Sequence, residues 1–240
     1  MGFWRRAAVS VVKPPLLAFT RRTWRGMEHI PASGGAILAV NHISHADPFG
    51  LAHYVYDAGR WPQLLGKASL FHLKVIGPWL KAVGQIPVYR GTADASKSLS
   101  AAEAAIDRGE IVIIYPEGTV SKEPSHWPMR GKTGVARLAL ITGAPVIPIA
   151  QWGAQKMFDP LTKKVGLRFR NHLSVVAGPP VDLSPWRDKP LTATVLQEVT
   201  DEIMYAIRDL LAEIRGEEAP ELYSPGSRHD TNPDSPEGSA

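Results

Sequence analysis

Residues 36–51 read AILAVNHISHADPFGL. The first five, Ala36–Val40, form an unbroken apolar run of strand length, the pattern of a strand covered on both faces. Further on, Asp47, Pro48 and then Phe49 and Leu51 read as a helix start, with Asp47 at the N-cap and Pro48 at N1. A strand that turns directly into a helix is one unit of an α/β fold. Three more short apolar runs repeat the theme at Ile86–Tyr89, Ile111–Tyr115 and Val146–Ala150. Between them, amphipathic stretches at 94–108 and 132–142 end at Gly109 and Gly143, the residue type that suits the position just past a helix. Val165–Phe169 and Leu173–Ala177 are expected to form a closing strand pair. A long last helix over about 191–214 places Leu196, Val199, Ile203, Ile207, Leu210 and Ile214 on one face. The expected fold class is α/β, a single domain with a mostly parallel or mixed central sheet flanked by helices.

The chain has 240 residues, 44% of them hydrophobic and 21% charged, with no cysteine. That is enough apolar material for one substantial core and excludes a wholly disordered chain. Zero cysteine excludes a disulfide scaffold, a thiolate metal site and a cysteine nucleophile. The net charge of +4 sums unlike parts. Residues 1–31 carry six Lys or Arg against the single acid Glu28, whereas residues 216–240 carry six acids against Arg228 alone. The sequence therefore divides into a basic amphipathic membrane-interface segment at 1–24, a domain at 25–215 and a disordered acidic tail at 216–240.

In the first segment Phe3, Trp4, Ala7, Ala8, Val11 and Val12 share one helical face, and Pro14 and Pro15 are expected to stop the helix. Eleven helical residues span roughly 16 Å, about half of a bilayer's hydrocarbon core, so the segment is too short to cross. Leu16, Leu17, Phe19 and Trp24 follow, interleaved with Arg21, Arg22 and Arg25. Apolar anchors beside cations suit the interface of an anionic membrane, and the same face also suits packing on the domain. No uninterrupted apolar core precedes a small-residue cleavage site, so no signal peptide is expected, and no run reaches transmembrane length.

His42 lies just beyond a strand end and Asp47 follows five residues later. In one reading Asp47 only caps a helix and His42 only ends a strand. In the other, the turn folds the carboxylate back onto the imidazole, fixes its tautomer and leaves the second ring nitrogen as a base. Ligands of α/β proteins gather at this edge of the sheet. Competing chemistries fail on spacing. There is no GxSxG elbow. His42, His45 and Asp47 do not match a helical zinc motif. The GKT at 131–133 lacks the earlier glycine of a nucleotide-binding P-loop, since His126 occupies that position. Base-stacking and groove-reading signatures of nucleic-acid binding are missing.

Other strand ends deliver further polar groups. GQIPVYR at 84–90 presents Arg90, a fork suited to phosphate. YPEGT at 115–119 makes a tight turn that presents Glu117 and Thr119. Lys132 opens a helix, where free N–H groups and a cation favour an anion. Lys67 follows Leu64–Gly66. Each is an ordinary surface or turn residue if taken singly. Together Arg90, Lys132 and Lys67 outline a cationic lip beside a His/Asp base.

In this combination the sequence resembles the 1-acyl-sn-glycerol-3-phosphate acyltransferase family, the glycerolipid acyltransferases with an NHxxxxD motif. NHISHAD (41–47), GQIPVYR (84–90), YPEGT (115–119) and APVIPI (144–149) match its four blocks in order, across about residues 25–180. The resemblance implies a glycerolipid acyltransferase-like fold and a 1-acylglycerol-3-phosphate O-acyltransferase. It implies transfer of a fatty acyl group from acyl-CoA or acyl carrier protein to the free hydroxyl of lysophosphatidate, without an acyl-enzyme or a cofactor. His42 is then the general base and Asp47 its orienting partner. Arg90, Lys132 and Lys67 hold phosphate, while Glu117, Gly118 and Thr119 position the acceptor. The expected partners are a lysophospholipid, the acyl donor and an anionic membrane surface, with no nucleic acid. The expected location is peripheral or monotopic on the cytoplasmic face of the cell membrane. Two departures stand out: Val120 replaces the Arg that usually follows the third block, and Ser69 replaces a Glu often found two residues after the lysine at 67. They leave the acceptor open to glycerol-3-phosphate, another lysophospholipid or a phosphatidylinositol-type glycolipid. A catalytically silent membrane-binding module is the alternative from another class.

Overall fold

The computed structural model describes residues 2–89, 95–166 and 170–224. Four of its strands grow from the four apolar runs: β2 (Ala36–Val40), β4 (Ile86–Val88), β5 (Ile111–Ile114) and β6 (Val146–Trp152). With β1 (Thr20–Arg25), β3 (Pro62–Lys67) and β7 (Asn171–Ala177) they form one seven-stranded sheet in the order β1-β7-β6-β2-β5-β3-β4. Strands β6, β2, β5, β3 and β4 run parallel to one another. Strand β7 is antiparallel to β6 and parallel to β1, so this pair runs the other way. The sheet is thus mostly parallel, as expected.

Central β2 is buried along its whole length because both faces are covered. On one face Ile37 and Ala39 pack with α4 (Ala95–Asp107), α5 (Gly134–Thr142) and α6 (Ala193–Arg215) through residues such as Ala102, Leu138, Val199 and Ile203. On the other, Ala36, Leu38 and Val40 pack with Leu51, Tyr54 and Val55 of α2 (Asp47–Asp57). An unbroken apolar run is what a strand with two dry faces requires. Helix α6 is capped by Thr192, whose side chain accepts from Val195 N–H, and it ends at Gly216 in the left-handed region.

Four expectations need correction. Pro14 and Pro15 do not stop the first helix: α1 spans Phe3–Phe19 with both inside it. The two carbonyls that lose their helical donors belong to exposed Ser10 and Val11, which water can serve. Second, residues 20–24, grouped above with the N-terminal segment, pair with β7 as part of β1. Third, the tail is packed at its start. Tyr223 bridges to Met129, its carbonyl accepts from Arg130 N–H at 2.9 Å, and Leu222 and Ala219 pack on apolar clusters. Two apolar residues in an acidic, Pro-rich stretch supply that contact, and residues 225–240 lie outside the described part. Fourth, Val165 does not pair with β7 but bridges to Phe158, and 167–169 lie outside the described residues.

Candidate active site

All five parallel strands end at the same edge of the sheet, and that edge collects the candidate residues. Beyond β2, Asn41 is fully buried and locked to Gln151 of neighbouring β6 by three hydrogen bonds. Its Oδ1 accepts from Gln151 N–H at 2.8 Å, its backbone carbonyl accepts from Gln151 Nε2 at 2.8 Å, and its Nδ2 donates to the Gln151 carbonyl at 3.1 Å. This lock fixes the strand end from which His42 projects.

Asp47 is the first residue of α2 and makes no cap; Ala46 is the N-cap residue. Its carboxylate turns back toward the strand instead. Oδ2 accepts from His42 Nδ1 at 2.8 Å and from the backbone N–H groups of Ile43 and Ser44 at 2.7 and 2.8 Å. The carboxylate thus bonds the imidazole and does not cap the helix. With Asp47 ionised, Nδ1 carries the proton and Nε2 keeps a lone pair. Among the described residues nothing bonds to Nε2, and the His42 side chain is 14% exposed, so that nitrogen is open to a reactant. The Tyr115 ring stacks on the imidazole, centroids 4.2 Å apart and planes at 21°. Burial pushes the Asp47 carboxyl up, while the bond and charge of His42 and the two amides pull it down.

The YPEGT turn grips the same histidine from the next strand. Glu117 Oε1 accepts His42 N–H at 2.7 Å and Oε2 accepts Met129 N–H at 3.1 Å. The His42 carbonyl in turn accepts from Ser121 N–H at 2.6 Å. Glu117 is 2% exposed, and burial pushes its carboxyl up to about 8 despite the two amides. Both oxygens accept backbone N–H groups, so Glu117 braces the turn against the strand end. Gly118 has φ +71°, and a Cβ there would lie 3.0–3.2 Å from the Lys132 side chain, which therefore runs across the turn. Lys132 N–H also donates to the Pro116 carbonyl at 2.9 Å. Thr119 and Lys132 are exposed. Lys67 is exposed at the end of β3, one strand beyond β5 from His42. Arg90 lies outside the described residues.

His42, Asp47, Glu117, Gly118 and Lys132 are therefore brought together, and Lys67 stands further along the same edge. Asn41, Tyr115, Ser121 and Gln151 were not singled out as site residues by sequence. Asn41 and Tyr115 stand inside the matched blocks, which was the available signal; Ser121 and Gln151 gave none.

Residues 21–152 match the profile of the Acyltransferase family. The chain belongs to that family. Curated relatives of this acyltransferase-family chain include an uncharacterized protein of Mycobacterium tuberculosis, 28% identical over 168 residues, covering 64% of this chain and 44% of the relative. Another is a chloroplastic 1-acyl-sn-glycerol-3-phosphate acyltransferase of Brassica napus, 27% identical over 165 residues, covering 68% of this chain and 46% of the relative. The matched chain thus spans less than half the length of these relatives. Among solved structures, the 1-acyl-sn-glycerophosphate acyltransferase PlsC of Thermotoga maritima has the same fold. The TM-score is 0.65 at 19% identity, covering 90% of this chain and 81% of the other.

Proposed function

We propose that this chain is a 1-acylglycerol-3-phosphate O-acyltransferase that moves a fatty acyl group from acyl-CoA or acyl carrier protein to lysophosphatidate. The observation that carries the reading is the His42–Asp47 pair, bonded through Nδ1 with Nε2 left open. His42 Nε2 takes the proton of the acceptor hydroxyl as its oxygen attacks the thioester carbonyl carbon. The carbon–sulfur bond breaks, the thiolate leaves and takes up the proton from His42, and the products are phosphatidate and a free thiol. Asp47 holds the imidazole in the required tautomer throughout. No acyl-enzyme forms and no cofactor takes part. Lys132, Lys67 and Arg90 bind the acceptor phosphate, with Gly118 and Thr119 shaping the turn beside it.

The exposed apolar side chains of α1, among them Phe3, Trp4 and Val11, support contact of the N-terminal segment with an anionic membrane. In this reading the protein is peripheral or monotopic on the cytoplasmic face of the cell membrane. No described helix is long and apolar enough to cross a membrane. A panel of acceptors with one labelled acyl-CoA tests the assignment. Lysophosphatidate should be preferred over glycerol-3-phosphate, other lysophospholipids and phosphatidylinositol-type glycolipids. Preference for another acceptor would move the chemistry to that headgroup, and no transfer to any would leave a membrane-binding module.

A further inference from the structure

The stretch between β3 and α3 (Ile76–Ala82) is exposed and apolar in a way that its local packing does not require. Leu70 and Leu73 are 43% and 45% exposed, Val75 83% and Ile76 47%. The segment is nevertheless held firmly. A 3-10 turn at Ala68–His72 buries Phe71, whose ring lies against Gly66. Gly77 N–H donates to the Leu73 carbonyl at 2.9 Å, and a Cβ on Gly77 would stand 2.2 Å from the Phe71 carbonyl oxygen, so only glycine lets α3 start so close. Four aliphatic side chains thus project from a braced knuckle. Isolated exposed aliphatics are ordinary; a run of them on one knuckle marks a contact surface.

Charge says what covers it. Residues 58–93 contain no Asp or Glu, while Lys67, Lys74 and Lys81 belong to this stretch. Exposed aliphatic side chains interspersed in sequence with exposed lysines match an anionic lipid surface, with the aliphatic tips in the acyl region and the ammonium groups among the headgroups. The knuckle continues another apolar surface. Arg5 of α1 lies 5.0 Å over the Trp61 ring and beside Gly84, which places the start of α1, with exposed Phe3 and Trp4, next to the end of α3. The knuckle also springs directly from the strand end that carries Lys67, on the sheet edge where His42 stands.

We infer that residues 70–76 form a second membrane-docking element, which inserts Leu73, Val75 and Ile76 into an anionic leaflet and presents the His42 edge of the sheet to lipid acceptors. Its consequence for turnover rests on the acyl-transfer reading; its binding to lipid does not. Because the chain lacks cysteine, Val75→Cys gives a single site for an environment-sensitive fluorophore. Adding phosphatidylglycerol vesicles should shift that probe's emission to the blue, whereas a probe at Glu202→Cys on α6 should not move. The triple variant Leu73→Ser, Val75→Ser, Ile76→Ser should partition onto the vesicles about tenfold or more weakly, the least that three lost apolar anchors imply. It should also lose turnover of vesicle-embedded acceptor while keeping turnover of a short-chain, monomeric one. An unmoved probe with unchanged partitioning overturns the inference and leaves the acyl-transfer reading intact. A blue shift that rises with protein concentration in the absence of vesicles overturns it in favour of a contact between copies. A probe shift in a protein that transfers acyl groups to no acceptor upholds the docking element and removes the acyl-transfer reading.

Discussion

The Glu117 carboxyl holds the backbone N–H of His42 at 2.7 Å and, with its other oxygen, the backbone N–H of Met129 at 3.1 Å. One buried side chain thereby ties the second residue beyond β2 to the loop that follows β5. The proposed base is fixed by its backbone as well as by Asp47.

This brace makes stability depend on pH. Burial pushes the Glu117 carboxyl from 4.5 up to about 8, so between those values the folded chain keeps a proton that the unfolded chain has lost. The group's contribution is full below about 4.5 and is lost as pH rises through about 8, and the raised Asp47 carboxyl acts in the same direction. Urea midpoints at about pH 5.5 and about pH 8.5 should show wild type weaker at the higher value, and Glu117→Gln should shrink that difference. An undiminished difference in the variant would refute the assignment.

Asp47→Asn keeps an oxygen for the amides of Ile43 and Ser44 but removes the anion that holds the His42 tautomer. It should lower kcat by on the order of 10²–10⁴ with little change in KM. A variant with wild-type kcat would show that Asp47 is structural only.

Asn41→Ala removes the two side-chain bonds of the lock and strands the backbone N–H and carbonyl of buried Gln151, while the bond from Gln151 Nε2 to the residue 41 carbonyl is kept. The expected loss of stability is about 2–4 kcal/mol, read from urea unfolding. A loss under about half a kcal/mol would mean that water or a shifted Gln151 replaces the lock.

Gly118→Ala puts a Cβ on a left-handed residue and against the Lys132 side chain. It should cost about 1 kcal/mol of stability and raise KM for a phosphate-bearing acceptor. Lys132→Ala should reproduce the KM effect without the stability loss. If only Gly118→Ala changed KM, Lys132 would not be the phosphate contact.

The strands read most fully from the sequence are β2, β5 and β6, whose two dry faces need unbroken apolar runs; edge strand β4 and part of β7 were also legible from shorter apolar runs. Strand β1, TRRTWR, was hidden because it lies at a sheet edge and carries exposed arginines, a composition that blunts edge pairing. Strand β3, PQLLGK, offers only two leucines. Asn41–Gln151 joins residues 110 apart, and no periodicity announces such a pair. The His42–Asp47 spacing was legible because its geometry is local. Glu117 was legible as a site residue but not as a brace, because sequence shows a carboxylate and not which backbone amides will reach it.

The most direct test of the general-base account is His42→Ala assayed for acyl transfer from labelled acyl-CoA to lysophosphatidate, with folding checked by urea unfolding. The account predicts a native-like unfolding curve and a loss of turnover of at least about 10²-fold, the low end for removing a general base. Near-normal turnover in the folded variant would contradict it.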